Sequence, residues 1–198
     1  MVELTSRSHG GMLPRLVQSA LDRAAVSWEA VDGLAVSVGP GSFTGLRIGL
    51  SLAKGIAFAG QTPIAAVSTL EALAWAAEPI PGETVWAVLD ARMREVYAAA
   101  FERTATGLVR RTADEALPPD ELAPRIPASA LVIGDAPQAY PVLATTGARV
   151  LPFATHHPRG GIVARLGGAI LRAGGAADVG MLVPTYVRPS QAEMARRP

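Results

Sequence analysis

Cysteine is absent from the 198 residues, which excludes a disulfide scaffold, a thiolate zinc site and a cysteine nucleophile. No uncharged apolar run reaches the ~18 residues of a membrane-spanning helix, because Lys54, Glu71 and several glycines interrupt the most apolar stretches. The first residues show no basic segment followed by an apolar one, so no signal peptide is visible. The sequence therefore predicts a cytoplasmic protein.

Net charge is also small, since 18 Lys and Arg residues stand against 17 Asp and Glu residues, for a formal charge of +1. A protein that binds nucleic acid unaided usually carries a basic excess. A strong RNA- or DNA-binding surface is therefore not expected of this chain by itself. Lys54 is the only lysine, and we interpret the preference for arginine, with the heavy use of alanine, glycine and proline, as GC-rich codon bias.

The sequence is rich in hydrophobic residues. Hydrophobic residues make up 49% of the sequence, enough to bury a sizeable core and to exclude global disorder. Apolar periodicity and capping signals predict helices over 12–25, 42–60, 68–77 and 161–173. Short apolar runs predict strands over 34–38, 64–67, 84–89, 95–101, 108–110 and 131–133, with a short helix from Pro118-Pro119-Asp120. The alternation predicts an α/β protein with mixed sheets and two subdomains, which meet at the Pro and Gly break near residue 80.

The most distinctive motif is G-P-G-S-F-T-G-L-R-I-G at 39–49, between a strand and a helix. A phosphate-binding loop uses this order, but Gly39, Gly41 and Gly45 do not have dinucleotide spacing, and no P-loop lysine follows. Ser42 can instead cap the helix, and a stripe of small residues at steps of four runs from Gly45 along it. Such a stripe lets another helix approach closely, and we favour this packing role over a ligand role.

Other polar candidates carry weaker signals. His9, His156 and His157 lack the spacing of a helical metal pair, so hydrogen-bonded or exposed histidines are expected. Ser42 lacks the surroundings of a serine nucleophile. Asp135 follows a strand and precedes a helix, where a capping role is expected.

Asp90 and Glu95 form the best carboxylate pair, and they flank a hairpin turn. General acid–base work or metal binding is one interpretation, and turn shaping by Asp90 and Arg92, with Arg94 balancing charge, is the favoured one. Each tryptophan is expected in a core or an interface, at positions 28, 75 and 86.

Taken together, the motifs resemble the TsaB (YeaZ) family. The matching strings occur in the family's order and cover nearly the whole chain. They are R-S-H-G-G-M-L-P at 7–14, the glycine-rich string at 39–49, A-K-G-I-A-F-A at 53–59, V-S-T-L-E-A-L-A at 67–74, L-D-A-R-M-R-E-V-Y at 89–97 and P-T-Y-V-R at 184–188.

The resemblance implies an actin/Hsp70/sugar-kinase-like (ASKHA) fold with two subdomains of mixed β-sheet and helices, here 1–80 and 81–198. The family acts in forming N6-threonylcarbamoyladenosine next to the anticodon of tRNA. Its members are regarded as non-catalytic partners of TsaD, joined by the ATPase TsaE, although they have been filed with the M22 peptidases. ATP and metal are accordingly expected on TsaD and TsaE and not on this chain alone, and tRNA is expected to be contacted mainly through the complex.

The implied partner surface lies on the two helices of the first subdomain, with Leu46 and Leu50 expected to supply apolar area. A homodimer through the same surface is expected when the partner is absent. The expected interface residues are Met12, Leu16, Gly39, Pro40, Gly41, Ser42, Phe43, Thr44, Gly45, Leu46, Arg47, Gly49, Leu50 and Ala53.

Two departures from the family pattern carry expectations. Family members begin with a strand ending in D-T-S and a hairpin after it, which this sequence lacks, so we expect a truncated first sheet with exposed backbone groups. Met93-Arg94 also stands in the hairpin where a glycine is common, which predicts a different turn.

Two hypotheses compete with the scaffold. One is an enzyme, either a nucleotide-dependent kinase-like protein or an M22 peptidase, supported by the glycine-rich loop. The other is an unrelated homodimeric structural protein, which would have no affinity for TsaD. Titration with ATP and magnesium separates the enzyme from the scaffold.

Overall fold

The computed structural model describes residues 9–157 and 159–187. Residues 2–5, whose sequence could form the end of a strand, lie outside the described residues, as do the start of the 7–14 motif and the last residue of the 184–188 motif. No helix of the described ranges is both long and apolar enough to cross a bilayer.

Helices and strands alternate along the chain as the sequence predicts. The helices are α1 (His9–Ala24), α2 (Phe43–Gly60), α3 (Thr69–Ala76), α4 (Pro119–Leu122), α5 (Ala136–Ala139) and α6 (Gly160–Arg172). The strands are β1 (Leu34–Gly39), β2 (Ile64–Ser68), β3 (Thr84–Arg92), β4 (Glu95–Arg103), β5 (Leu108–Arg110), β6 (Glu115–Leu117), β7 (Leu131–Ile133) and β8 (Arg149–Val150). Short 3₁₀ turns cover Trp28–Ala30, Ala123–Arg125 and Pro141–Ala144.

The chain divides into two compact units. Of the described residues, unit 1 contains 9–38, Ser42–Val67 and Arg159–Pro184, and unit 2 contains Gly39–Gly41, 68–157 and 185–187. This division differs in three places from the expected boundary near residue 80. The turn Gly39–Gly41 belongs to unit 2. Helix α3 belongs to unit 2, and the segment that carries α6 returns to unit 1.

Unit 1 contains the paired strands β1 and β2, and helix α2 connects them along the chain. The backbone N–H of Leu34 donates to the carbonyl of Pro63 (2.8 Å), and the core contains Val38, Leu50, Ala57, Ile64 and Leu182. Helix α6 lies close to β1 at Gly167, where a Cβ would come within 2.3 Å of the Ala35 Cβ. A glycine is therefore required for this close approach of helix to strand.

Unit 2 is built on a six-stranded mixed sheet in the order β5-β4-β3-β7-β8, with β6 also paired to β4. Strands β3 and β4 are antiparallel over their length, whereas β7 is parallel to both β3 and β8. Side chains from alternate strand positions, such as Val88, Val96 and Val132, form the core with Leu122 and Leu143. The mixed sheet agrees with the expected ASKHA-like α/β class.

Two strands were not expected from the sequence. Strand β6 has three residues and β8 has two, and both are short strands added to a longer neighbour. Segments this short show no alternation, because their pairing partner and not their own pattern defines them.

Candidate partner-binding surface

The turn between β1 and α2 brings the glycine-rich motif to the surface. Gly39 ends the strand with φ of 122°, a backbone conformation that glycine adopts without strain. Ser42 then caps α2, its Oγ accepting a hydrogen bond from the backbone N–H of Gly45 (3.3 Å). The capping role predicted for Ser42 is therefore confirmed, and the first turn of α2 begins exposed.

The expected interface residues fall into three groups by exposure. Exposed side chains or backbones are those of Met12, Ser42, Phe43, Thr44, Gly45 and Arg47. Half-buried ones are Leu16, Gly41, Leu46, Gly49 and Ala53, and the buried ones are Gly39, Pro40 and Leu50. The first two groups lie on α1, on the turn and on the outer part of α2.

Leu50 does not have the place expected for it. It is 4% exposed and packs in the core of unit 1, where its neighbours include Val38 and Ile64. It therefore contributes to folding and offers no apolar area to a partner. Among the expected interface residues, exposed apolar area comes instead from Phe43 on α2 and from Met12 on α1, which are 44% and 38% exposed.

The stripe of small residues on α2 divides into an open part and a packed part. A Cβ at Gly49 would meet no other atom within 4 Å, and one at Gly45 would meet only Ser42, at 3.4 Å. Ala57, farther along the same stripe, is 1% exposed in the core. The first two turns of α2 therefore carry a thin face that the described part of the chain leaves open, and α1 packs against the same helix.

Phe43 and Arg47 form a contact within this surface. They are one helical turn apart, and the Arg47 guanidinium carbon lies 4.0 Å from the centre of the Phe43 ring. A cation over an aromatic face is stabilised by the ring's negative potential, by about 0.5–1 kcal/mol at an exposed site. At about 100° per residue this aromatic and cationic pair lies on the side of α2 opposite Gly45 and Gly49. Both residues are among the expected interface positions, but the sequence does not predict their contact.

The carboxylate pair at the β3–β4 turn is a structural feature. Asp90 Oδ1 accepts hydrogen bonds from the backbone N–H of Arg92 (2.8 Å) and from the Tyr140 hydroxyl (3.1 Å), and Oδ2 pairs with the Arg92 guanidinium (3.0 Å). The turn-shaping interpretation of Asp90 and Arg92 is therefore confirmed. Desolvation by burial, followed by the hydrogen bond to Asp90, raises the pKa of Tyr140.

Asp135 occupies the N-cap position of α5, as expected, but its carboxylate is used elsewhere. Its side chain makes no capping bond to α5. Instead, Asp135 Oδ1 accepts a hydrogen bond from the backbone N–H of Asp90 (2.8 Å). Strands β3 and β7 are parallel neighbours, so the end of β7 lies next to the β3–β4 turn. Local sequence does not reveal this pairing.

The turn itself has an unusual backbone. Arg92, Met93 and Arg94 have φ of 63°, 54° and 63°, so three successive residues with side chains are left-handed. Each left-handed residue raises the free energy of the folded state by roughly 1 kcal/mol relative to an ordinary backbone conformation. This explains why a glycine suits the Met93-Arg94 position of the hairpin.

His156 and His157 differ from each other: His156 is hydrogen-bonded as expected, whereas among the described residues neither buried ring nitrogen of His157 has a hydrogen-bond partner. His156 Nδ1 lies 2.8 Å from Thr155 Oγ1, and across residues 9–157 and 159–187 no group of three or more His, Asp or Glu could hold a metal ion. Trp86 is 5% exposed, as expected for a core residue, and Trp75 is half-buried beneath Arg103. Trp28 is 39% exposed and so does not lie in the core of this chain.

Three comparisons with known proteins place the fold and the sequence. Residues 3–133 match the family model described as TsaD, tRNA N6-adenosine threonylcarbamoyltransferase. The chain is 35% identical over 154 residues to the Escherichia coli protein named tRNA threonylcarbamoyladenosine biosynthesis protein TsaB, covering 75% of this chain and 67% of that one. It is 31% identical to the Bacillus subtilis protein of the same name, covering 94% of this chain and 82% of that one.

The fold is also similar to solved structures. A Pseudomonas aeruginosa crystal structure, described as an uncharacterized protein with similarity to peptidase YEAZ, superposes with a TM-score of 0.82. It is 30% identical in sequence, and the match covers 94% of this chain and 87% of that one. The similarity therefore extends over both units.

Proposed function

The chain belongs to the TsaB (YeaZ) family, and from that membership we propose that it is a non-catalytic, cytoplasmic partner of a TsaD-type protein in forming N6-threonylcarbamoyladenosine in tRNA. The E. coli and B. subtilis relatives carry the biosynthetic role in their names. The family model that matches residues 3–133 is named for the transferase TsaD, so this chain and a TsaD-type protein are related in sequence.

The observation that carries this proposal is the open face on the first two turns of α2. Gly45 and Gly49 leave the helix backbone accessible, and among the described residues no atom would lie within 4 Å of a Cβ at Gly49. A partner helix can approach such a face closely, because glycine lets two backbones come together. Phe43, at the exposed start of α2, and Met12, on α1, are partly exposed and offer further apolar area suited to an interface.

The formation of a complex is tested by mixing the chain with a TsaD-type protein from the same organism and measuring mass by light scattering after size exclusion. We expect a stoichiometric complex with the wild-type chain. Gly45→Arg places a long side chain on the open face and is expected to abolish the complex.

Gly55→Arg is the matched control on the same helix. Gly55 is exposed, and a Cβ there would meet nothing within 4 Å. Arginine favours a helix interior over glycine by roughly 0.5–1 kcal/mol in both variants, so neither should unfold α2. Loss of the complex with both variants, or with neither, would contradict the location of the surface. The absence of any wild-type complex would contradict the partner role.

We further propose that the chain alone binds no ATP and no metal, that these belong to the TsaD-type and TsaE-type components, and that tRNA is contacted mainly through the assembled complex. Titration calorimetry of the isolated chain with ATP and magnesium tests this. No heat of binding is expected, and micromolar affinity would favour a nucleotide-dependent enzyme instead.

The same open face would support a homodimer when the partner is absent. An isologous contact through α2 would place the two copies' glycine stripes against each other. We therefore expect the TsaD-type partner to convert homodimer into heterodimer, which the light-scattering masses distinguish.

A further inference from the structure

Lys54 stands out because the chain places arginine at its other basic positions. It lies on α2, and its Nζ donates hydrogen bonds to the carbonyl oxygens of Gly180 (3.2 Å) and Leu182 (3.0 Å).

The geometry gives the reason for this lysine. An ammonium group is a compact charge that donates in three directions from a single atom, whereas a guanidinium is a planar fork suited to paired carboxylate oxygens. The two carbonyl oxygens belong to residues only two positions apart and converge on the same nitrogen. A guanidinium is larger and planar and would offer different nitrogen atoms to the two oxygens, so Lys54→Arg changes the geometry of both hydrogen bonds.

The segment held by this ammonium is a single turn, residues 177–182, anchored at both ends. At its start, the backbone N–H of Ala177 donates to the carbonyl of Ile64 at the beginning of β2 (2.8 Å). Within it, Asp178 Oδ1 accepts from the N–H of Gly180 (2.7 Å), and the N–H of Leu182 donates to the Asp178 carbonyl (2.9 Å). At its end, Leu182 is 8% exposed and packs into the core of unit 1.

The inner and outer sides of this segment differ sharply. Leu182 shares the unit 1 core with Leu50 and Ala57 of α2, so the segment closes one side of the helix. Met181, which lies between the two residues whose carbonyls accept from Lys54, is 76% exposed. Phe58 on α2 is 81% exposed. The turn is therefore held to α2 by the buried Leu182 side chain and the Lys54 ammonium group, and to β2 by the Ala177–Ile64 backbone pair.

We propose that residues 177–182 form a strap over α2 and that Lys54 is its latch. With the ammonium in place, the strap and α2 move as one body, and the helix keeps the orientation that presents Gly45 and Gly49 outward. Without it, the strap separates from the helix and Leu182 leaves the core. The link from the latch to partner binding rests on the function proposed above, whereas the latch itself does not.

Hydrogen exchange of the full chain, read by mass spectrometry, tests the latch. Lys54→Met keeps the aliphatic stem and removes the charge, and Lys54→Arg keeps the charge and changes its shape. Ser51→Ala, at an exposed position on the same helix, is the matched control. The strap amides should exchange at least about tenfold faster in both Lys54 variants, since a charged donor to two carbonyls is lost or weakened.

Unchanged exchange of the strap in Lys54→Met would overturn the latch. If Lys54→Met loosens the whole of unit 1, the comparison passes to Lys54→Arg. There, faster exchange confined to the strap supports the latch, and a uniform change across unit 1 overturns it.

Affinity for the TsaD-type protein tests the coupling separately. A decrease of about fivefold or more for Lys54→Met, with Ser51→Ala unchanged, supports coupling between the strap and α2. A loosened strap with unchanged affinity overturns that coupling. If the wild-type chain binds no partner, the proposed function fails, and the exchange rates still decide whether Lys54 is a latch.

Discussion

The carboxylate of Asp135 accepts a hydrogen bond from the backbone N–H of Asp90 across 2.8 Å, although the two residues are 45 positions apart in the chain. The bond connects the end of β7 to the start of the β3–β4 turn. Asp90 in turn holds the N–H of Arg92 and the hydroxyl of Tyr140. Asp135 thus fixes the residue that organises the turn.

Removing this carboxylate should destabilise unit 2. Asp135→Ala leaves the partly buried N–H of Asp90 without its acceptor, and we expect the free energy of unfolding to fall by about 1–3 kcal/mol. Urea denaturation measures this. Asp120→Ala, an exposed acidic position on α4, should change stability by less than about 0.5 kcal/mol. Equal effects of the two substitutions would show that the Asp135–Asp90 bond contributes nothing specific.

Glycine at the turn should raise stability. Arg94 has φ of 63°, so Arg94→Gly removes the left-handed strain and is expected to stabilise the chain by roughly 1 kcal/mol relative to Arg94→Ala. The alanine variant is the control, because it also loses the guanidinium but keeps the Cβ. Thermal unfolding of the two variants compares them directly, and an alanine variant at least as stable as the glycine variant would refute the strain.

Close packing of α6 on β1 should depend on Gly167. Gly167→Ala puts a methyl group within 2.3 Å of the Ala35 Cβ, so helix or strand must shift, at an expected cost of about 1–3 kcal/mol. Gly161→Ala on the same helix meets nothing within 4 Å and should be neutral or slightly stabilising. Denaturant midpoints give the comparison, and a neutral Gly167→Ala would mean that the helix is not held this closely.

The Glu115–Arg125 pair should make stability depend on pH in the acid range. The hydrogen bond from Arg125 lowers the pKa of Glu115, and the pair is bidentate, with contacts of 2.7 and 2.9 Å. A carboxyl whose pKa is lowered by folding contributes stability above its unfolded pKa of roughly 4.3 and loses it as the pH falls through the folded pKa. The contribution is modest because both side chains are 38% exposed.

The measurement is the difference in unfolding free energy between the wild type and Glu115→Gln from pH 7 down to pH 3. The difference should be largest near neutrality and shrink in acid. A difference that stays constant over this range, or grows in acid, would show that the pair is not linked to folding.

Local signals predicted most elements of the fold. Ser42 and Ser68 are the caps of α2 and α3, and each Oγ accepts the backbone N–H three residues on. These bonds are made within one helical turn, so the residues that make them are also adjacent in sequence. The apolar run of β7 and the apolar periodicity of α6 are likewise patterns within one short stretch of sequence, so both elements could be predicted.

What the sequence could not predict depends on distant contacts. Lys54 reaches Leu182 across 128 positions, and Tyr140 reaches Asp90 across 50. Leu50 has the same apolar character as an interface residue, and only the packing of unit 1 shows that its side chain faces the core. The candidate surface was predicted in outline because its glycines and its cap are local, whereas its apolar contributors depend on tertiary packing.

The central claim is that a TsaD-type partner binds the α1–α2 face of unit 1. Its most direct test is a hydrogen-exchange footprint of this chain with and without that partner at saturating concentration. The account predicts slower exchange in α1 and in the first turns of α2, with the β3–β4 hairpin of unit 2 unchanged. Slower exchange centred on unit 2, or none anywhere in a chain that still forms the complex, would contradict it.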